Sequence, residues 1–193
     1  MAPDPSRIAV LLSGRGSNFE AIADAVSSGA IPRSEIVAVL SDVEDAIGLR
    51  KARRRGLNAH AVDRRRFSRR ADHERAVLDV LGAARPDLIC LAGYMRVLSP
   101  EFVAAYPGKI LNIHPSLLPK FPGLHPQRQA LEAGAIESGC TVHIVDERVD
   151  AGPIVVQRRV PILPGDTEES LSERILEEEH RAYPEAIRKV LGL

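Results

Sequence analysis

Over residues 7–106, short apolar runs alternate with amphipathic stretches of helical length, and this alternation restricts the fold more than any other feature. "RIAVLLS" (7–13), "EIVAVLS" (35–41), "NAHAV" (58–62) and "DLICLAGY" (87–94) read as strands. Between them lie "NFEAIADAVSSG" (18–29), "AIGLRKARRRG" (46–56) and "RRADHERAVLDVLGAAR" (69–85). In the first of these, Phe19, Ile22, Ala23 and Val26 fall at helical spacing, and Gly29 closes it. Gly56 and Pro86 end the other two, and a short helix "SPEFVAAY" (99–106) follows the fourth strand. A strand that is apolar on both sides needs cover on both sides. The pattern therefore predicts a parallel sheet with helices on each face.

The remainder changes character. "KILNIHP" (109–115) is a fifth strand and "ALEAG" (130–134) a helical turn. "GCTVHIVD" (139–146) and "GPIVVQRRVPI" (152–162) are two more strands, joined by the short "ERVDA" turn as a hairpin at the sheet edge. A long closing helix spans 166–191, capped by Asp166 or Thr167 and kinked or restarted at Pro184. The expected fold is α/β. It is an open, mostly parallel, twisted sheet of about seven strands with a Rossmann-like N-terminal half and an antiparallel edge toward the C-terminus. No repeat or linker interrupts the chain, so residues 1–193 read as one domain.

Composition excludes several classes. Net charge is zero, with 45% hydrophobic and 27% charged residues, so no general attraction to nucleic acid or membrane is indicated. Trp is absent and aromatics are scarce, which argues against base-stacking platforms. Cys90 and Cys140 sit in apolar runs and read as buried reduced thiols. With no CxxC or HExxH pattern, no metal site is expected. The N-terminus has no basic stretch ahead of its short apolar run, so the expected location is cytoplasmic.

Two segments carry candidate chemistry. "SGRGSN" (13–18) ends the first strand and opens the first helix, where open α/β sheets can bind phosphate. Gly14 and Gly16 allow close backbone approach, and Ser17 and Asn18 add donors. It is neither a dinucleotide fingerprint, because Phe19 stands where Gly or Ala is required, nor a Walker A loop. A plain strand-to-helix turn is the alternative. "LNIHPSLLPKFPG" (111–123) places Asn112 and His114 two residues apart, on one side of a strand, ahead of Pro115, Pro119 and Pro122. Asn can hold a developing oxyanion and His can move a proton near neutrality, while the stiff loop fixes their geometry.

Asp150, after the sixth strand, is on its own either a turn residue or a carboxylate that approaches His114. Asn, His and Asp together suit acyl or formyl transfer to an amine. No Ser or Cys nucleophile stands out, so direct transfer is expected over a covalent intermediate.

"LLSGRGSNFEAI", "LAGYMRVLSPEFV", "LNIHPSLLPKFPGLHPQRQAL" and "GCTVHIVDERVDAGPIVVQ", through to "TEESLSERILEEEHRAYP", together resemble the phosphoribosylglycinamide formyltransferases, folate-dependent enzymes of purine biosynthesis. The resemblance implies 10-formyltetrahydrofolate as formyl donor, with no metal, and glycinamide ribonucleotide as acceptor. It implies a nucleotide-phosphate half of about 1–106 and a catalytic and folate half of about 107–193. It makes Asn112, His114 and Asp150 catalytic. It assigns the ribonucleotide to Gly16, Ser17, Asn18 and Glu179. It assigns the folate to Arg70, Met95, Arg96, Val97, Leu98, Val145, Asp146, Glu147 and Asp150, with Pro115, His125 and His143 as pocket walls. It also implies a cis Leu118–Pro119 bond. Members of the family can carry Gln where Leu176 stands, so phosphate binding here would lean more on the loop.

From Arg50 to Arg70 the chain has ten basic residues against one acidic, which reads as solvated helix faces before it reads as attraction for a polyglutamylated folate tail. His60 and His73 are expected at the surface. The sheet edge near the paired strands is a candidate homodimer surface. Two other functions compete: a 10-formyltetrahydrofolate hydrolase, expected to carry a further N-terminal domain, and a non-catalytic nucleotide-binding module. A methionyl-tRNA formyltransferase would be expected to carry a tRNA-binding domain.

Overall fold

Ile8, Val10 and Leu12 point to one side of the first strand and Ala9 and Leu11 to the other, and all are fully buried. A strand without a solvated face must sit inside a sheet. In the computed structural model, which describes residues 4–193, it does. The strands β1 (Ser6–Leu12), β2 (Ser34–Ser41), β3 (Ala59–Ala61), β4 (Leu88–Leu91), β5 (Ile110–His114), β6 (Glu137–Ile144) and β7 (Ile154–Pro161) form one sheet in the order β3-β2-β1-β4-β5-β6-β7. β1 to β5 pair in parallel. β6 and β7 run antiparallel at one edge. This is the expected α/β architecture.

Helices cover both faces. Phe19 and Ile22 of α1 (Ser17–Ser27), Leu49 of α2 (Ile47–Arg54), and Leu171, Ile175 and Ile187 of α6 (Glu168–Leu191) pack on the Ile8–Val10–Leu12 side. Val77 and Leu81 of α3 (Arg70–Ala84) and Phe102 of α4 (Pro100–Ala105) pack on the Ala9–Leu11 side. A shorter helix, α5 (Pro126–Glu132), follows the proline-rich loop.

The chain winds outward from β1 to β3 and then returns to place β4 beside β1. At that reversal the loops leaving β1 and β4 lie side by side at the strand carboxyl ends. Three contacts pin it: Ser13 N–H donates to the Gly93 carbonyl at 3.0 Å, Met95 N–H to Ser13 Oγ at 2.9 Å, and Ser13 Oγ to Asp42 at 2.6 Å.

The structure departs from the sequence expectations in four places. α6 does not restart at Pro184 but continues through it to Leu191. Its cap is Thr167, one of the two expected residues, in a reciprocal pair with Ser170, while Asp166 pairs with Arg174. His73 is buried at 3% exposure, because it shares the inner face of α3 with Val77 and Leu81. Its Nε2 contacts the Val62 carbonyl at 2.9 Å and its ring meets Phe67 edge-on. His60 is half-buried on β3. The β6–β7 connection, residues 145–153, is also longer than a tight turn. Cys90 and Cys140 are free and buried, as expected.

Candidate active site

β5 leaves the core with Leu111 and Ile113 turned into one helix layer, which directs Asn112 and His114 to the other side. β6 runs antiparallel beside it, with Asn112 opposite His143 and His114 opposite Thr141. Two loops then close over these residues. The first, after β5, contains the cis Leu118–Pro119 bond. It is held by Thr141 Oγ1, which donates to the Ser116 carbonyl at 2.7 Å and accepts from Leu118 N–H at 3.1 Å. The Gln157 amide on β7 reaches the Leu118 carbonyl at 2.9 Å. The second loop, 145–153, brings in Asp150.

Asp150 adopts a left-handed backbone, φ 52°, at the turn that aims its carboxylate inward. Gly152 permits the turn: a Cβ there would lie 1.9 Å from the Ile144 carbonyl oxygen. Asp150 Oδ2 lies 3.4 Å from His114 Nδ1 and Oδ1 lies 3.7 Å from His143 Nε2. His114 Nε2 donates to the Phe121 carbonyl at 2.9 Å, and Gly123 N–H donates to Asp150 at 3.0 Å. Asn112 Nδ2 and His143 Nε2 are 3.2 Å apart. Burial by itself would raise the Asp150 carboxyl. The Gly123 N–H, which donates to the carboxylate, and the His114 ring beside it outweigh burial and hold the group below its usual range.

This cluster forms the floor of a cleft of about 390 Å³. Met95, Arg96, Val97 and Leu98 make one wall, and Val145, Asp146 and Glu147 the opposite one. Pro115, His125 and His143 line it as well. Met95 and Leu124, at 71% and 79% exposure, leave apolar surface at its mouth. An apolar-walled cleft with a few convergent polar groups is the general form of a small-molecule site. Arg70 stands apart: it does not line the cleft but pairs with Glu74 and donates to the Val97 carbonyl at 2.6 Å, supporting the wall from outside.

The residues assigned to the ribonucleotide also converge. Gly16, φ 73°, is the N-cap of α1, and a Cβ there would meet Gly48 Cα at 2.7 Å. The first turn of α1 therefore presents Ser17 and Asn18 at a helix N-terminus. Asn18 Nδ2 donates to Glu179 Oε2 at 2.7 Å, joining α1 to α6. Burial pushes the Glu179 carboxyl up to about 7, against the opposing hydrogen bond from Asn18. Asn18 Oδ1 is buried and has no hydrogen-bond partner.

Sequence reasoning did not anticipate the main-chain groups of Phe121 and Gly123, Gln157 as the tether of the proline-rich loop, or the direct contact of His143 with Asn112. One polar ring in the apolar run "CTVHIV" was the available signal for the last.

The sequence pattern of the formyl transferase family matches residues 6–187. The phosphoribosylglycinamide formyltransferase of Escherichia coli strain K12 is 45% identical over 177 residues, which cover 92% of this chain and 83% of that protein. The trifunctional purine biosynthetic protein adenosine-3 of Drosophila melanogaster is 51% identical over 187 residues, 96% of this chain but only 14% of that longer protein. The crystal structure of glycinamide ribonucleotide transformylase 1 from Symbiobacterium toebii superposes with a TM-score of 0.94 at 50% identity, covering 97% of this chain and 89% of that one.

Proposed function

Because the chain belongs to the formyl transferase family, we propose that it moves the formyl group of 10-formyltetrahydrofolate onto the amino group of glycinamide ribonucleotide. The observation that carries this reading is the convergence of Asn112, His114 and Asp150 on the floor of a cleft walled by residues 95–98 and 145–150. The pterin lies between those walls. The ribonucleotide phosphate sits at the N-terminus of α1 on Gly16, Ser17 and Asn18, with Glu179 beyond it.

The acceptor amine attacks the formyl carbon and a C–N bond forms while the carbonyl oxygen becomes an alkoxide. Asn112 Nδ2–H donates to that oxygen. His114 joins it when the oxygen takes the place of the Phe121 carbonyl on Nε2–H. The tetrahedral centre then collapses. The bond to the folate nitrogen breaks, the proton on the attacking nitrogen leaves and one is delivered to the departing nitrogen. Asp150, ionised and next to His114, carries that proton traffic with a water. Donors aimed at the developing oxyanion are the larger contribution, because a walled cleft strengthens them relative to water.

Tetrahydrofolate release from 10-formyltetrahydrofolate, measured with and without glycinamide ribonucleotide, tests this. Release that depends on the ribonucleotide and yields its formylated form supports it. Release in buffer alone makes the chain a hydrolase, and no release in either case makes it a binding module.

A further inference from the structure

His143 is 2% exposed and stands opposite Asn112 in the β5–β6 ladder. Its Nδ1 lies 3.0 Å from the Ile144 carbonyl oxygen. A carbonyl only accepts, so Nδ1 carries the ring proton, and Nε2 of the neutral ring is left with a lone pair. The atom facing that lone pair is the Asn112 amide nitrogen at 3.2 Å. Rotated by half a turn, the amide would set its oxygen against the lone pair. Asp150 Oδ1, at 3.7 Å, lies outside hydrogen-bond reach of Nε2 and does not compete for it. Among the described residues the Asn112 side chain makes no other hydrogen bond, so His143 alone decides which way the amide faces.

We propose that His143 is a positioning residue for the transfer: held in one tautomer by the Ile144 carbonyl, it anchors one Nδ2 hydrogen of Asn112 and leaves the other aimed at the formyl oxygen. This rests on the formyl-transfer reading and adds to it a residue that acts only through Asn112. A pocket wall would contribute contact area to the folate, and its loss would appear in binding. An amide orienter contributes nothing to ground-state binding, and its loss appears in turnover.

The test is a double-mutant cycle read by steady-state kinetics on the full chain, with H143L, N112A and the pair. H143L is expected to lower kcat about tenfold, the equivalent of one neutral hydrogen bond, with both KM values within about twofold. In the N112A background the same change is expected to cost less than about twofold, since nothing remains to orient. H143Q, whose side-chain oxygen can accept from Asn112 Nδ2, is expected to recover most of the turnover. Losses that multiply independently, or a rise in folate KM with kcat kept, overturn the proposal. Should H143L not fold, the imidazole ¹⁵N spectrum of the unmodified protein decides. A proton on Nδ1 with a bare Nε2 at pH 7 supports the proposal, and a proton on Nε2 overturns it. An unmodified chain that transfers no formyl group to the ribonucleotide is a failure of the proposed function. An additive cycle in a chain that does transfer it is a failure of this inference alone.

Discussion

Replacing Glu179 with Gln should make the protein more stable at pH 8 and change little at pH 4.5. Glu179 is buried between α1 and α6, and its carboxyl is raised from the ordinary 4.5 to about 7. The folded state therefore holds a proton that the unfolded chain has already lost between those values. The sign follows from linkage: where the folded state binds more protons, stability falls as pH rises. The contribution is fully present below about pH 4.5, declines up to about 7 and is gone above it. At about 1.4 kcal/mol per pH unit, that interval corresponds to about 3 kcal/mol. Gln stays neutral throughout and keeps an oxygen for Asn18 Nδ2. It also offers a donor to Asn18 Oδ1, which has no partner in the unmodified protein. Urea unfolding of both proteins at intervals from pH 4.5 to 8 gives the difference directly. The wild-type stability should drop relative to E179Q by about 3 kcal/mol across that range. Parallel profiles would refute the reasoning, since they would mean that Glu179 reaches water or a counter-charge and is ionised throughout.

Asn112→Ala should lower kcat by about 10² to 10³ with folate affinity retained, checked by turnover and by folate fluorescence titration. Gly152→Ala forces a Cβ onto the Ile144 carbonyl, displaces Asp150, and should cost about 10² in kcat with a smaller change in melting temperature; unchanged turnover would refute it. Tyr183→Phe removes a buried hydroxyl that donates to the Leu91 carbonyl at 3.0 Å and lies 3.1 Å from that of Leu111. Denaturant unfolding should show a loss of about 1–3 kcal/mol.

Local chemistry made most of the fold legible. β1, β2 and β4 announce themselves because central parallel strands are apolar on both faces, and β5 shows its one functional side because Asn112 and His114 interrupt that pattern at strand period. Features set by distant pairing were harder to read. Asp150 is an ordinary turn residue until a left-handed backbone and Gly152 aim it at β5. His143 reads as a wall until antiparallel register places it opposite Asn112. His73 was legible but misread: its four-residue spacing to Val77 and Leu81 marks a core position, and its polarity drew the wrong inference. Pro184 breaks a helix in isolation, yet α6 continues through it, with Ala182, Tyr183, Ala186 and Ile187 buried around the proline.

The hydrogen bonds from His114 to Phe121 and from Gly123 to Asp150 give the two loops over the cleft a shared fastening made of side chains that the proposed mechanism uses. Under the proposed mechanism, a substitution at Asp150 thus removes a proton carrier and unlatches the two loops from each other in one stroke. A small carboxylate supplied in solution could restore the first effect but has no backbone through which to restore the second. Chemical rescue of an Asp150→Ala enzyme should therefore stop at a plateau below wild-type turnover, and the height of that plateau measures what the latch contributes.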